Sequence, residues 1–452
     1  MKKNEEYEVE IIDTGFKGEG IAKIDGIAVF VPNVLKGEKA KIKILKVTSK
    51  CAYGKLIELI KCSKNRQECD CETYSKCGGC SLRHIKYEET LKMKKQAVET
   101  TLYKMLKKEI NVKDTIGMEN PYYYRNKVQA AFGLTRSGKI VSGVYQSSEK
   151  RIVNVDSCMT EDKKADEIIV EIRKMLPDFK IVPYNEFNGK GFLRHVLVKR
   201  SFVTNQIMVV LVGANAVFPQ KAKFVSALLK KFPEITTVVF NVNSGRLSML
   251  LGEREEVLFG KGYIEDKLCG YVFRISAKSF YQINPCQTEV LYKTAIDYAD
   301  LSGDEVVLDA YCGTGTIGLV ASEKAKKVIG VELNKDAVKD AIVNAKINNI
   351  ENASFYNADA GEFMVEMAKE NEQVDVVFMD PPRKGSDKRF LTSLLKLSPK
   401  KIVYISCNPE TQKRDLFTLT KGGYKVRKIQ PVDMFPHTNH VETVCLLSRK
   451  DK

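Results

Sequence analysis

The chain has 452 residues, 44% of them hydrophobic, and a formal net charge of +16. That length can bury a sizeable core and implies about three domains. With no leading apolar segment and no apolar run of bilayer length, the sequence excludes a membrane span and predicts a soluble, cytoplasmic protein. The basic excess favours a polyanionic partner, nucleic acid above all, and 12 cysteines without a secretory signal point to metal binding or catalysis rather than to a disulfide framework.

Residues 1–60 read as short strands between Gly-rich turns: 7–12, 20–24, 27–31, 39–46 and 52–59, with turn signals at Asp25-Gly26 and Lys36-Gly37-Glu38. Five strands in so short a segment predict an OB-like β-barrel. Lys17, Lys23, Lys41, Lys43 and Lys46 offer it a basic face for single-stranded nucleic acid, although such a barrel serves equally as a passive interaction module. The segment resembles the TRAM domain that accompanies several RNA-modifying enzymes.

The densest cysteine cluster follows: Cys62, Cys69, Cys71, Cys77 and Cys80. Five residues separate Cys71 from Cys77 and two separate Cys77 from Cys80, while Gly78-Gly79 lets the backbone fold tightly round a ligand. Three close thiolates with one distant partner suit an iron–sulfur cluster, with zinc as the rival. Cys158 is the expected fourth ligand, and Cys62 and Cys69 are alternates by spacing.

Residues 82–105 turn helical, with Leu91, Ala97, Val98, Leu102 and Met105 at near-helical intervals; this helix, near 86–108, is expected to pack on the C-terminal domain. Tyr122, Tyr123 and Tyr124 then stand beside Arg125 and Lys127. That mixture suits RNA, where bases stack and phosphates pair, and suits a protein core equally well. Strand signals continue at 143–145, 151–155, 195–201, 206–212, 236–242 and 247–251, interrupted by one helix at 222–232. Residues 61–262 are thus expected to form an α+β central domain that carries the cysteine cluster.

From 263 to 452 strands and helices alternate. Residues 306–318 hold an apolar strand, the turn Asp309-Ala310-Tyr311-Cys312-Gly313-Thr314-Gly315 and a helix start, which lets backbone N–H groups approach a ligand. A second strand ends in the acid Glu332, placed to take a ribose; a third reaches Asp359 and a fourth ends in Asp380-Pro381-Pro382-Arg383. Gly313, Gly315 and Gly318 satisfy the dinucleotide pattern as they stand, but no second nucleotide-binding half is evident. S-adenosylmethionine, which has no phosphates, is favoured. A further β-rich run, 402–405, delivers Cys407 to a strand end where Asn408-Pro409 stops it.

Residues 308–315, 380–385 and 406–409, together with His440-Val441-Glu442-Thr443, resemble the RNA uracil-5-methyltransferase family. The Cys71, Cys77, Cys80 spacing is similar to that of its iron–sulfur members acting on 23S ribosomal RNA. The resemblance implies an α/β Rossmann-like methyltransferase domain behind the TRAM barrel and the central domain, with Cys71, Cys77, Cys80 and Cys158 holding a 4Fe-4S cluster. It assigns Cys407 as the nucleophile that adds to carbon 6 of uracil, and Glu442 as the base that removes the carbon 5 proton. Toward S-adenosylmethionine it assigns Gln282 to the methionine part, Glu332 to the ribose, Asp380 near the sulfonium and the target base, Asp309 and Gly313 to the loop, Asp359 to the adenine, and Tyr311, just after the first strand, to the cofactor-binding set. The expected substrate is 23S ribosomal RNA, with transfer RNA as the alternative, and the chain is expected to work as a monomer without an obligate protein partner. Two rival readings carry less: an exocyclic-amine methyltransferase, whose motif ends in an aromatic where this chain has Arg383, and a non-catalytic RNA-binding iron–sulfur protein, which leaves Cys407 and Glu442 idle.

Overall fold

The computed structural model describes residues 1–15, 18–106, 111–146, 151–245, 250–370 and 372–449, apart from the side chains of 104–106. Lys17, most of the strand expected at 247–251 and the side chain of Met105 lie outside them.

Alternation builds the first sheet. Along Lys39–Val47 the residues Ala40, Ile42 and Ile44 are fully buried, while Lys39 and Lys46 face water. Its strands run in the order Glu6–Glu10, Lys39–Val47, Cys51–Lys61, Ile27–Val31, Gly20–Ile24, Asp13–Thr14, and the first also packs against Gly20–Ile24. The two-residue strand Asp13–Thr14 is additional to the five expected, being too short to show a period.

The second sheet has seven strands, in the order Arg254–Phe259, Ile235–Val242, Ile207–Gly213, Leu193–Arg200, Lys127–Leu134, Ile140–Tyr145, Ile152–Asn154. One helix was expected here and two cover the sheet. Lys221–Lys231 is the expected one. The other, Lys163–Met175, turns Ala165, Ile168, Ile169, Ile172 and Met175 inward and is capped by Asp162, whose carboxylate accepts the Ala165 N–H at 2.9 Å.

The third sheet runs Ala353–Asn357, Lys327–Glu332, Val306–Ala310, Val376–Met379, Lys401–Ser406, Glu442–Arg449, Tyr424–Val432. Neighbours among the first five are parallel, so their C-terminal ends share one edge. The last two form an antiparallel pair, and this reversal brings the start of Glu442–Arg449 to the same edge.

As expected, the helix Tyr87–Leu106 packs on this third unit. Val98 and Leu102 enter the core formed by Leu416, Leu419, Val426 and Ile429. On the same helix Lys94 is fully buried, its Nζ donating to Asp433 Oδ1 at 2.5 Å and to the Phe435 carbonyl at 3.1 Å. A buried ammonium persists only where such partners replace its water.

Candidate active site

Strand register sets the centre of the site. Ser406 pairs with Thr443 at the end of the antiparallel ladder, so Cys407 and Glu442 are the next residues out on adjoining strands. The Cys407 turn is tied down locally. Ser406 Oγ accepts the Asn408 N–H at 3.1 Å, Asn408 Oδ1 caps the helix Pro409–Lys421 by accepting the Glu410 N–H at 3.1 Å, and Asn408 Nδ2 donates to the Arg383 carbonyl at 3.1 Å. That last bond links the Cys407 turn to the Asp380–Gly385 segment. Beneath both, Asp415 Oδ2 accepts from Tyr404 Oη and from the Ser386 N–H, each at 2.8 Å.

Cys407 is half-buried, Glu442 is 5% exposed and Asp380 is half-buried. Burial, then the charges of Glu442 and Asp380, push the Cys407 thiol up to about 11, with Arg383 pulling the other way. Glu442 rises to about 8 through burial, reinforced by Asp380 and opposed by Arg383, and burial alone lifts Asp380 to about 7. Strand register sets the thiol and both carboxyls at adjoining strand ends, and their mutual effects favour neutral acids in that compartment until a cation enters. Such a compartment can receive a sulfonium, whose positive charge stabilises the thiolate needed for nucleophilic chemistry.

At the neighbouring strand end, Tyr311 (φ 70°), Gly313 (φ 56°) and Gly315 (φ 81°) bend the chain through left-handed backbone. A Cβ on Gly315 would lie 2.9 Å from the Phe355 ring, whereas one on Gly313 would meet open space. Asp309 is buried, accepts the Gly318 N–H at 2.9 Å and is raised to about 7 by burial, so it braces the loop from below. Glu332 ends the adjacent strand, its Oε2 accepting the Gly313 N–H at 3.2 Å and its Oε1 the Asn334 N–H at 2.8 Å. The Tyr311 ring packs on Phe390 with centroids 4.9 Å apart. Asp359 is exposed and caps the helix Ala360–Lys369 through the Glu362 N–H at 3.0 Å, which gives its carboxylate a structural partner. The half-buried Gln282 is steered from the residue that precedes the strand Lys127–Leu134: Asn126 Nδ2 donates to the Gln282 carbonyl at 3.1 Å and the Asn126 N–H to the Ile283 carbonyl at 2.9 Å.

The family model described as tRNA (Uracil-5-)-methyltransferase matches residues 86–450, and that of the TRAM domain matches residues 2–57. The chain belongs to the RNA uracil-5-methyltransferase family. An uncharacterised RNA methyltransferase of Clostridium acetobutylicum is 46% identical over 100% of this chain and 99% of its own. One of Listeria innocua is 43% identical, with coverage of 100% and 99%. Among solved structures, the Pyrococcus abyssi tRNA (uracil-54, C5)-methyltransferase in complex with S-adenosyl-L-homocysteine is 26% identical, with a TM-score of 0.78 over 98% of this chain and 100% of that one.

In this methyltransferase Cys71, Cys77, Cys80 and Cys158 are all free and half-buried. Burial raises Cys77, Cys80 (to about 11) and Cys158 (to about 12). The Arg125 guanidinium pulls Cys77 and Cys80 downward against that rise, and the Arg125 N–H donates to the Thr160 carbonyl at 3.0 Å, two residues beyond Cys158. The expected set is nevertheless not assembled: among the described residues no three His, Cys, Asp or Glu side chains form a group that could hold a metal ion. The Cys71 thiol contacts the Thr73 hydroxyl at 3.5 Å, and the Cys158 thiol that of Thr160 at 3.3 Å.

The core reading of the aromatic run holds for one of its three tyrosines. Tyr124 is buried, whereas Tyr122 and Tyr123 are half-buried, with Lys163 Nζ 4.2 Å from the Tyr123 ring centroid and the Arg83 guanidinium 5.1 Å from that of Tyr122. The sequence reading missed the supporting part played by Asn126, Asn408 and Asp415. Only Asn408, before a proline, carried a local cap signal; the others act through partners distant in the chain.

Proposed function

We propose that this RNA methyltransferase transfers a methyl group from S-adenosylmethionine to carbon 5 of a uridine in 23S ribosomal RNA. The observation that carries the reading is the shared compartment of Cys407, Glu442 and Asp380. On this reading the Cys407 thiolate adds to carbon 6 of the flipped uracil, and the displaced electron pair makes carbon 5 an enolate-like nucleophile. Carbon 5 takes the sulfonium methyl and releases S-adenosylhomocysteine. The Glu442 carboxylate then removes the carbon 5 proton, the electrons of that bond form the carbon 5–carbon 6 double bond, and the bond from carbon 6 to sulfur breaks to return the thiolate. Asp380 lies beside the sulfonium, Glu332 takes the ribose, Tyr311 and Gly313 line the nucleoside, Asp309 holds their loop, Asp359 stands near the adenine and Gln282 contacts the methionine part. Residues 1–60 and the central domain, 61–262, would bind RNA ahead of the catalytic domain, 263–452.

The donor chemistry of Cys71, Cys77, Cys80 and Cys158, four free thiols, is that of a 4Fe-4S cluster, which they would hold as thiolates. Such a cluster would supply cross-linking rather than electron transfer, since no step above is a redox step, and the loop would then shape the RNA-binding surface. A transfer RNA substrate is the second reading, favoured by the activity named for the Pyrococcus abyssi structure. Incubation with labelled S-adenosylmethionine and deproteinised 23S ribosomal RNA or transfer RNA, followed by mapping of the labelled nucleotide, decides between them. Label on adenine would overturn the proposal.

A further inference from the structure

Glu442 is reached through residues 433–441, a connection without helix or strand. Its anchors come largely from far away in the chain. Asp433 is held by Lys94 and, at 2.8 Å, by Tyr87 Oη; Gln287 Nε2 donates to the Asp433 carbonyl and Asn284 Nδ2 to the Met434 carbonyl, both at 3.0 Å. Closer to the base, Tyr124 Oη donates to the Pro436 carbonyl at 3.1 Å, and the Ser81 and Leu82 N–H groups donate to the His437 carbonyl at 3.1 and 2.9 Å. Ser81 Oγ accepts the Asn439 N–H at 2.9 Å and donates to Asn439 Oδ1 at 3.2 Å. Ser81 directly follows Cys80.

At the centre of this clamp His437 is 1% exposed and held at φ 64°, a left-handed conformation that a histidine keeps only where its surroundings impose it. Its ring lies between Tyr87 and Tyr122, with centroids 5.9 and 5.3 Å away. The bonds that fix the Cys407 turn, those of Ser406, Asn408 and Arg383, include none of these groups. The two segments meet at the Ser406–Thr443 pairing, where Thr443 Oγ1 donates to the Ser406 carbonyl at 3.3 Å, but the clamp on residues 436–439 holds only the approach to Glu442.

We infer that Ser81 and Tyr124 are positioning residues for Glu442: from the cysteine loop and the central domain they clamp residues 436–439, and so set where the carboxylate stands when the carbon 5 proton must leave. The inference rests on the reading of Glu442 as the base. It assigns the clamp to one step, because the clamp bonds hold the approach to Glu442 and not the Cys407 turn, and proton removal depends on the last fraction of an ångström at the carboxylate.

The test uses the full-length protein, labelled S-adenosylmethionine and substrate RNA in single turnovers, followed on denaturing gels that separate covalent RNA–protein species from free RNA. Ser81→Ala and Tyr124→Phe should keep methyl transfer within about twofold while slowing release of the methylated adduct about tenfold, with KM for RNA unchanged. Ser81→Thr, which restores the hydroxyl, should restore release. Because the two substitutions act at separate bonds, misfolding of one leaves the other as the test. Glu442→Gln is the reference and should trap the methylated adduct. If it does not, the base assignment itself fails. If it does, while both clamp variants release product at the wild-type rate or lose addition, methyl transfer and release in parallel, the positioning inference is overturned.

Discussion

Ser406 and Thr443 are partners in the antiparallel pairing that joins Lys401–Ser406 to Glu442–Arg449, and the residues just beyond them are Cys407 and Glu442. Side chains one position past a ladder's end lie close enough to act on one molecule. The opposed effects of Glu442 and Arg383 on the Cys407 thiol are what that placement produces.

Cys407→Ala should abolish methyl transfer, lowering the single-turnover rate by about a thousandfold or more, since in the proposed mechanism this thiol makes the carbon 6 addition. RNA carrying 5-fluorouracil should form a stable covalent adduct with the wild type and none with the variant. An adduct with Cys407→Ala would move the nucleophile elsewhere.

The pH dependence follows from Glu442. Removing a proton requires the carboxylate, and burial holds the group near 8. Below that value the rate of adduct breakdown should rise about tenfold per pH unit, levelling above it. At this step the sulfonium has already given up its methyl, so the profile should be taken on methylated adduct formed in a single turnover and the bend should follow Glu442 itself. A breakdown rate independent of pH between 5 and 8 would remove Glu442 from this step.

The same group links pH to stability. Its folded value lies above its ordinary one, so the folded state binds the extra proton between about 4.5 and 8, and stability falls as pH climbs through that window. Glu442→Gln, which cannot ionise, should be as stable as the wild type near pH 5 and more stable near pH 8.5, by on the order of 1 to 3 kcal/mol. Thermal melts at the two values measure the difference. An advantage that shrinks with rising pH contradicts the assignment.

Gly315→Ala should cost about 1–3 kcal/mol of stability, combining the left-handed backbone with a Cβ against Phe355. Gly313→Ala carries the backbone strain without the clash, and its Cβ enters the open space beside Glu332. It should therefore be the less destabilising of the two and raise KM for S-adenosylmethionine. Isothermal titration with S-adenosylhomocysteine and a thermal melt separate the two effects.

Local patterns carried much of the fold. The alternation of lysine with Ala40, Ile42 and Ile44, the continuous apolar runs of the parallel strands and the glycine turn from Tyr311 to Gly315 are written in neighbouring residues, because strand period and backbone permissiveness are local properties. The helix Lys163–Met175 carried a local signal as well, a capping Asp162 and an apolar stripe, but strand signals on both sides obscured it.

What the tertiary structure alone decided concerns partners distant in the chain. No spacing shows that the Cys80–Ser81–Leu82 turn grips His437, that Asn126 steers the segment of Gln282, or that Lys94 is sealed against Asp433, since each bond closes only after separate sheets have packed. The cysteine spacing raised the expectation of a shared ligand, whereas the side-chain directions of Cys71 and Cys158, toward neighbouring hydroxyls, depend on the packed surroundings. Likewise the high proton affinity of Glu442 belongs to its burial beside Asp380, a property of an enclosed compartment rather than of any stretch of residues.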